Sequence, residues 1–197
     1  MFSTVVEAIQ ARQTARQRLI VGIAGPPGAG KSTLAARLTE VFADGVVVPM
    51  DGFHLANVEL ARLGHADRKG APFTFDLHGY AALLRRIREH PDEIIYAPSF
   101  DHVMNEPIAG SIPVHPTTSI VVTEGNYLLH WDAVRELLDL TVYLDAPADE
   151  RLAGLIERQR SKGLDAHDAL DWVLRSDEAN ARLVQESAKL ADLHLFR

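Results

Sequence analysis

The sequence predicts an α/β fold in three layers: a mostly parallel sheet with helices on both faces. Three observations carry that expectation. Continuous apolar runs recur at residues 19–24, 46–48, 119–123 and 140–144, as strands buried on both faces require. Helical patterns separate the runs, which suits parallel strands joined by crossover helices. At 197 residues and 47% apolar content, with no Pro/Gly/Ser-rich linker and no charge block, a single domain over 1–197 is expected.

The elements follow in order. Phe2, Val5, Val6 and Ile9 form one amphipathic stripe, with Thr4 and Glu7 spaced as a capping box. Leu19 opens the first core strand, and residues 32–42 place Leu34, Leu38 and Val41 at helical spacing. A second strand at 46–48 ends in Pro49-Met50-Asp51, and a polar, glycine-containing stretch occupies 52–76. Tyr80, Leu83, Leu84 and Ile87 mark a helix, 94–96 a short strand, and 98–116 an irregular segment with room for a β-hairpin. The strand at 119–123 closes on Glu124. The run at 140–144 reads as the last parallel strand, with Pro147 in the first turn of a helix toward Arg160. A long helical pattern over 167–190 precedes a short C-terminal strand at 194–196.

Residues 25–32 carry the chemistry that this frame can position. Gly25-Pro26-Pro27-Gly28-Ala29-Gly30-Lys31-Ser32 is a complete G-x-x-x-x-G-K-[ST] phosphate loop, the Walker A pattern, lying between a strand and a helix. Glycines let the backbone curl around phosphate oxygens, and the helix N-terminus turns N–H groups and its positive dipole end toward them. Gly25, Gly28, Ala29, Gly30, Lys31, Ser32 and Thr33 are the candidate nucleotide contacts. Lys31 would reach the β- and γ-phosphates, and the Ser32 hydroxyl would ligate Mg²⁺. The fold expected is therefore the P-loop NTPase fold.

Two acids end strands in the same sheet. Glu124 is placed to bind Mg²⁺ directly or through water, and Asp51 to sit near the γ-phosphate as the base that takes an acceptor proton. The two roles are open to exchange, and Asp51 is open to serving the metal as well. On the connections leading from the strand ends, Phe53, His54, Arg68, Lys69, Asp101, His102 and Tyr127 supply donors, a carboxylate and aromatic faces for an acceptor pocket.

Composition excludes other classes. A net charge of −7 without a Lys/Arg-rich run argues against a nucleic-acid partner. Zero cysteines rule out disulfides and thiolate metal sites and fit a reducing compartment. No apolar stretch approaches the roughly 20 residues that span a bilayer, and the N-terminus lacks a signal-peptide profile. A soluble, cytoplasmic protein is expected, with no membrane partner. The sequence leaves the oligomeric state open, and a homodimer is compatible with it.

Five ordered motifs add a resemblance over nearly the whole chain. After the phosphate loop come Met50-Asp51-Gly52-Phe53-His54-Leu55 and Arg68-Lys69-Gly70-Ala71-Pro72-Phe73-Thr74-Phe75-Asp76. Pro98-Ser99-Phe100-Asp101-His102 and Glu124-Gly125-Asn126-Tyr127-Leu128-Leu129 follow. Together they resemble the phosphoribulokinase and uridine kinase superfamily, near its candidate fructose-transport-system kinase branch and related to bacterial pantothenate kinase. The resemblance implies an ATP-dependent kinase with Asp51 as base, Lys31, Ser32 and Glu124 on nucleotide and metal, and acceptor contacts near Arg68, Lys69 and His102. It also implies a mobile lid over 155–164 whose Arg158 closes on the phosphates. Gln159 departs from the branch, which usually has histidine after the lid arginine.

Some readings stay paired. Arg158 and Arg160 also suit a solvated helix C-terminus. Asp177 interrupts the stripe Leu170, Leu174, Asp177, Ala181, Val184, so that Asp177 and Asn180 either face substrate or mark a new helix capped by Ser176 or Asp177. The function expected is transfer of the ATP γ-phosphate to an alcohol of a sugar, nucleoside or pantothenate-like acceptor. The alternatives are a nucleoside monophosphate kinase, a GTPase-like switch suggested by Asp76-Leu77-His78-Gly79, and a non-catalytic nucleotide-binding module. The switch lacks a strand before that motif and any N-K-x-D or T-K-x-D sequence.

Overall fold

The computed structural model describes residues 1–13 and 18–197. Five strands form one parallel sheet: β1 (Leu19–Ala24), β2 (Val46–Pro49), β5 (Ile120–Gly125), β6 (Leu140–Asp145) and β7 (Leu193–Phe196), in the order β2-β5-β1-β6-β7. β3 (Ile95–Asp101) and β4 (Glu106–Val114) form a separate antiparallel hairpin. All six residues of β1 are buried, because the sheet is covered on both sides. Leu19, Val21 and Ile23 pack with Leu34 and Leu38 of α2 (Lys31–Val41) and with Val5 and Ile9 of α1 (Phe2–Gln13). Ile20 and Ala24 face the opposite core. It contains Tyr80, Leu84 and Ile87 of α4 (Leu77–Glu89) and Val184 of α8 (Glu178–Glu186). The three layers expected from sequence are therefore present.

Register brings the phosphate loop and the two acids to one edge. Ile23 is paired with Glu124, and Glu124 with Pro49, so the chain leaves β1 into Gly25 and leaves β2 into Asp51 on either side of Glu124. Ligands in parallel sheets bind at this C-terminal edge.

Several local expectations are corrected. Helix α1 begins at Phe2, which puts Thr4 inside the first turns and not at a cap. The stretch 52–76 contains a helix, α3 (Asn57–Leu63), and short 3₁₀ turns at Met50–Phe53, Ala66–Arg68 and Pro72–Thr74. A further short helix, α5 (Asp132–Arg135), follows β5. The last parallel strand is β7, which pairs with β6 from Val142↔Leu193 onward. Pro147 caps α6 (Ala148–Ser161) and does not enter its first turn. Asp76-Leu77-His78-Gly79 is a helix start: Asp76 accepts from the Gly79 N–H at 2.8 Å and caps α4.

The long C-terminal pattern is a helix interrupted by a π turn. α7 (Ala166–Trp172) runs through Val173–Asp177 into α8, and Asp177 itself has helical backbone angles with no capping bond. Neither expected cap therefore operates there. The wider turn also shifts the buried face. Ala169 and Val173 are buried, whereas Leu170 and Leu174 are 43% and 52% exposed. Asp177, Asn180, Ala181 and Val184 continue the buried side.

Candidate active site

Gly25 leaves β1 at φ 151°, and a Cβ there would run into the Leu144 carbonyl oxygen, so the loop's first turn admits only glycine. Gly28, at φ 79°, lies against the α6 backbone, where a Cβ would stand 3.1 Å from the Arg151 carbonyl oxygen. The loop then enters α2 through Gly30, in left-handed conformation and without a side-chain cap. The first-turn N–H groups, with Ser32 and Thr33 exposed beside them, thus form an anion-binding end.

Lys31 is buried, and its Nζ donates to the carbonyl oxygens of Gly25 (2.9 Å) and Pro26 (3.0 Å) and to Asn126 Oδ1 (2.9 Å). Burial draws its pKa down to about 8 against the opposing pull of Glu124 and Asp51, and Arg158 and Arg151 lower it further. The Ser32 hydroxyl donates to Glu124 Oε1 at 3.1 Å. Burial raises the Glu124 pKa and the Asp51 charge adds to that; Lys31 and the Ser32 bond oppose it. A carboxylate held up by burial and a like charge is a group that a cation would relieve.

Asp51 sits on the 3₁₀ turn after β2 with its side chain 42% exposed. Its backbone carbonyl lies 2.8 Å from His54 Nδ1, and the His54 ring stacks on Phe75 (4.0 Å) and Phe100 (4.7 Å). Burial lowers the pKa of that imidazole. Beneath the edge, the Tyr80 hydroxyl is bonded to Thr123 Oγ1, which donates to the Val48 carbonyl at 2.6 Å.

The expected acceptor contacts divide. Tyr127 Oη and Asn180 Nδ2 both donate to the Gly70 carbonyl, at 2.7 and 3.3 Å, which gathers β5's exit, α8 and the 68–70 turn. Arg68 is exposed, 5.7 Å over the Phe73 ring, and His102 is exposed beside Phe100. The others have structural partners. Lys69 is buried at its side chain and donates to Asn57 Oδ1 and the Asn105 carbonyl, with Glu106 at 3.8 Å. Asp101 accepts from the Val103 and Met104 N–H groups and closes the hairpin turn. Phe53 packs on Tyr80 and His54 lies within the ring stack, so both support the Asp51 turn.

Helix α6 carries more than the expected lid arginine. Arg158 is half exposed and 3.9 Å from Asp177 Oδ1. Two turns earlier, buried Arg151 donates to the Pro27 carbonyl (3.1 Å) and to Glu178 Oε1 (3.1 Å), tying the loop to α6 and α8. Arg151, Leu155 and Gln159, spaced four apart, lie on one stripe of α6, and all three are buried. Gln159 lies on that inner face. Burial lowers the pKa of Lys162, at the end of α6, and the Arg158 charge lowers it further against the pull of Asp177 and Asp51.

A phosphate loop on β1, acids at the neighbouring strand ends and cations on a helix folded over the loop define a P-loop kinase. The Phosphoribulokinase / Uridine kinase family model matches residues 20–197, and the chain belongs to that family. It is 35% identical over 196 residues to a candidate uridine kinase of Schizosaccharomyces pombe, covering 91% of this chain and 83% of that protein. A candidate fructose transport system kinase from Silicibacter sp. TM1040 superposes with a TM-score of 0.90 at 34% identity, covering 98% of both chains. The circularly permuted P-loop protein YFH7 of Saccharomyces cerevisiae shares the fold at 17% identity, with a TM-score of 0.87 and coverage of 100% and 98%. The chain is thus a small-molecule P-loop kinase. Among the described residues, no helix is long and apolar enough to cross a membrane.

Proposed function

We propose that this kinase transfers the γ-phosphate of ATP to an alcohol group of a small polar acceptor: a sugar, a nucleoside or a pantothenate-like molecule. The observation that carries the reading is Asp51, a half-exposed carboxylate on a turn braced by His54 and Tyr80, beside the phosphate-binding edge. In this reading Asp51 takes the acceptor proton as the alkoxide oxygen bonds to the γ-phosphorus and the bond to the β–γ bridging oxygen breaks, releasing ADP. Lys31 exchanges its loop carbonyls for phosphate oxygens, and Arg158 adds charge where the transferring group develops it. Ser32 Oγ and the Glu124 carboxylate, with Asp51 close by, form an oxygen donor set that suits Mg²⁺. Bound there, Mg²⁺ would neutralise charge on the phosphates. In the same reading the kinase works in the cytoplasm as a single domain, with the segment 155–164 as its lid.

The test is acceptor-dependent ADP release over uridine, D-fructose, pantothenate and glycerate, with ATP hydrolysis as background. One of these alcohols is expected to raise release well above background. Stimulation by a nucleoside monophosphate, with none by any alcohol, overturns the alcohol assignment in favour of a nucleotide kinase.

A further inference from the structure

Lys31 makes one hydrogen bond that leaves its own loop. The carbonyl oxygens it meets at 2.9 and 3.0 Å, those of Gly25 and Pro26, are part of the phosphate loop itself. Its third donor goes to Asn126 Oδ1 at 2.9 Å, just beyond the end of β5. Register explains the meeting: Ala24 pairs with Gly125, which sets Asn126 beside the start of the loop. An ammonium donates and cannot accept, so the atom that faces it is the amide oxygen, and Nδ2 points elsewhere. Among the described residues the Asn126 side chain has no other hydrogen bond, and its Nδ2 is not closed off from solvent. An asparagine that served its own turn would bond to nearby backbone. This one bonds to the lysine instead.

The segment that carries Asn126 is fixed on both sides. A Cβ on Gly125 would stand 2.5 Å from Met50 Cβ, so the backbone there lies directly on the turn that bears Asp51. Tyr127 and Leu128 are fully buried; the Tyr127 hydroxyl donates to the Gly70 carbonyl at 2.7 Å, and its own carbonyl accepts from the Trp131 N–H at 3.0 Å. Lys31, by contrast, carries its charge on a flexible four-carbon stem. The end of β5 thus holds two successive residues of α2: Glu124 takes the Ser32 hydroxyl at 3.1 Å and Asn126 takes Lys31. A neutral amide holds the ammonium without cancelling its charge, whereas a carboxylate in that place would compete with phosphate for it.

From this geometry we infer that Asn126 is a positioning residue that acts through Lys31: its Oδ1 keeps the ammonium in place while the Gly25 and Pro26 carbonyls give way to phosphate oxygens of ATP. Without the amide, the remaining anchors of the lysine are the two that phosphate displaces. The stem must then be ordered at the moment of binding, and that entropy is taken from the affinity for ATP. The inference rests on the kinase reading and adds to it the residue that sets the loop lysine.

The test is a double-mutant cycle on the full chain, with ATP affinity measured by calorimetry for wild type, Asn126→Leu, Lys31→Met and the double variant. Leucine keeps the shape of asparagine and removes the acceptor; Asn126→Ala takes its place if the leucine variant does not fold. Asn126→Leu should weaken ATP binding about 10- to 10²-fold, the range for a hydrogen bond to a charged group. In the Lys31→Met background the same change should cost less than about twofold, because the residue it acts through is gone. A purely structural role of Asn126 would weaken binding by the same factor in both backgrounds, and that additive result overturns the inference. Wild-type ATP affinity in Asn126→Leu overturns it as well. The cycle needs no acceptor, so a failure of every alcohol to stimulate ADP release would overturn the alcohol assignment and leave the role of Asn126 standing. Absence of ATP binding by wild type would overturn the kinase reading, and this inference with it.

Discussion

Replacing Lys31 with methionine should reveal how much stability the nucleotide-free protein gives up to keep a cation in its loop. The ammonium is buried, and its pKa stands at about 8 against an ordinary 10.5. The folded state therefore binds fewer protons than the unfolded state between those values, so stability rises with pH across that window. Below about pH 8 the folded chain carries the full cost of the buried charge, about 3 kcal/mol for a shift of this size. Above the unfolded value both states are neutral and the cost is gone. Methionine fills similar volume and does not titrate, so other groups cancel when the two proteins are compared. Loss of three hydrogen bonds in Lys31→Met adds a constant that does not depend on pH. Urea unfolding of both proteins from about pH 7 to about pH 10 should show wild type gaining about 2–3 kcal/mol on the variant. A flat difference would refute the burial account, and a wild type that loses ground with rising pH would reverse its sign.

Three further outcomes follow from the same contacts. Arg158→Ala should lower kcat by as much as about 10³ if its charge meets the transition state; a few-fold change confined to KM would leave it a surface residue. Tyr80→Phe removes a buried hydroxyl from the chain to Thr123 and Val48 and should cost about 1–3 kcal/mol in urea unfolding; an unchanged midpoint would show that the bond is not needed. Gly25→Ala should fold yet bind ATP at least about tenfold more weakly, since the added methyl displaces the loop from the Leu144 carbonyl; wild-type affinity by calorimetry would contradict the cradle geometry.

Much of this site was legible because its signals are local. The phosphate loop is a backbone shape written in glycines, and the apolar runs ending at Asp51 and Glu124 give the strand edge directly. What escaped reading depends on contacts that spacing does not encode. Helix α3 buries only Leu60 and leaves Val58 exposed, so no apolar stripe announced it. The π turn breaks the 3.6-residue period, and the stripe through Leu170 and Leu174 consequently pointed to the wrong face. Lys69 and Asp101 have the chemistry of acceptor contacts, yet Asn57, Asn105 and the hairpin N–H groups occupy them. Asn126 and Arg151 hold the loop from β5 and α6, partnerships that only the assembled sheet creates.

In the proposed reaction Asp51 activates an acceptor hydroxyl beside the phosphate loop. Transfer of ³²P from γ-labelled ATP to the stimulating alcohol, compared between wild type and Asp51→Asn, tests it most directly. The asparagine keeps the shape of the turn and cannot take a proton. The rate constant should fall by roughly 10²–10⁴ while calorimetric ATP affinity stays close to wild type. Labelled product formed by Asp51→Asn at a near-wild-type rate would contradict the claim.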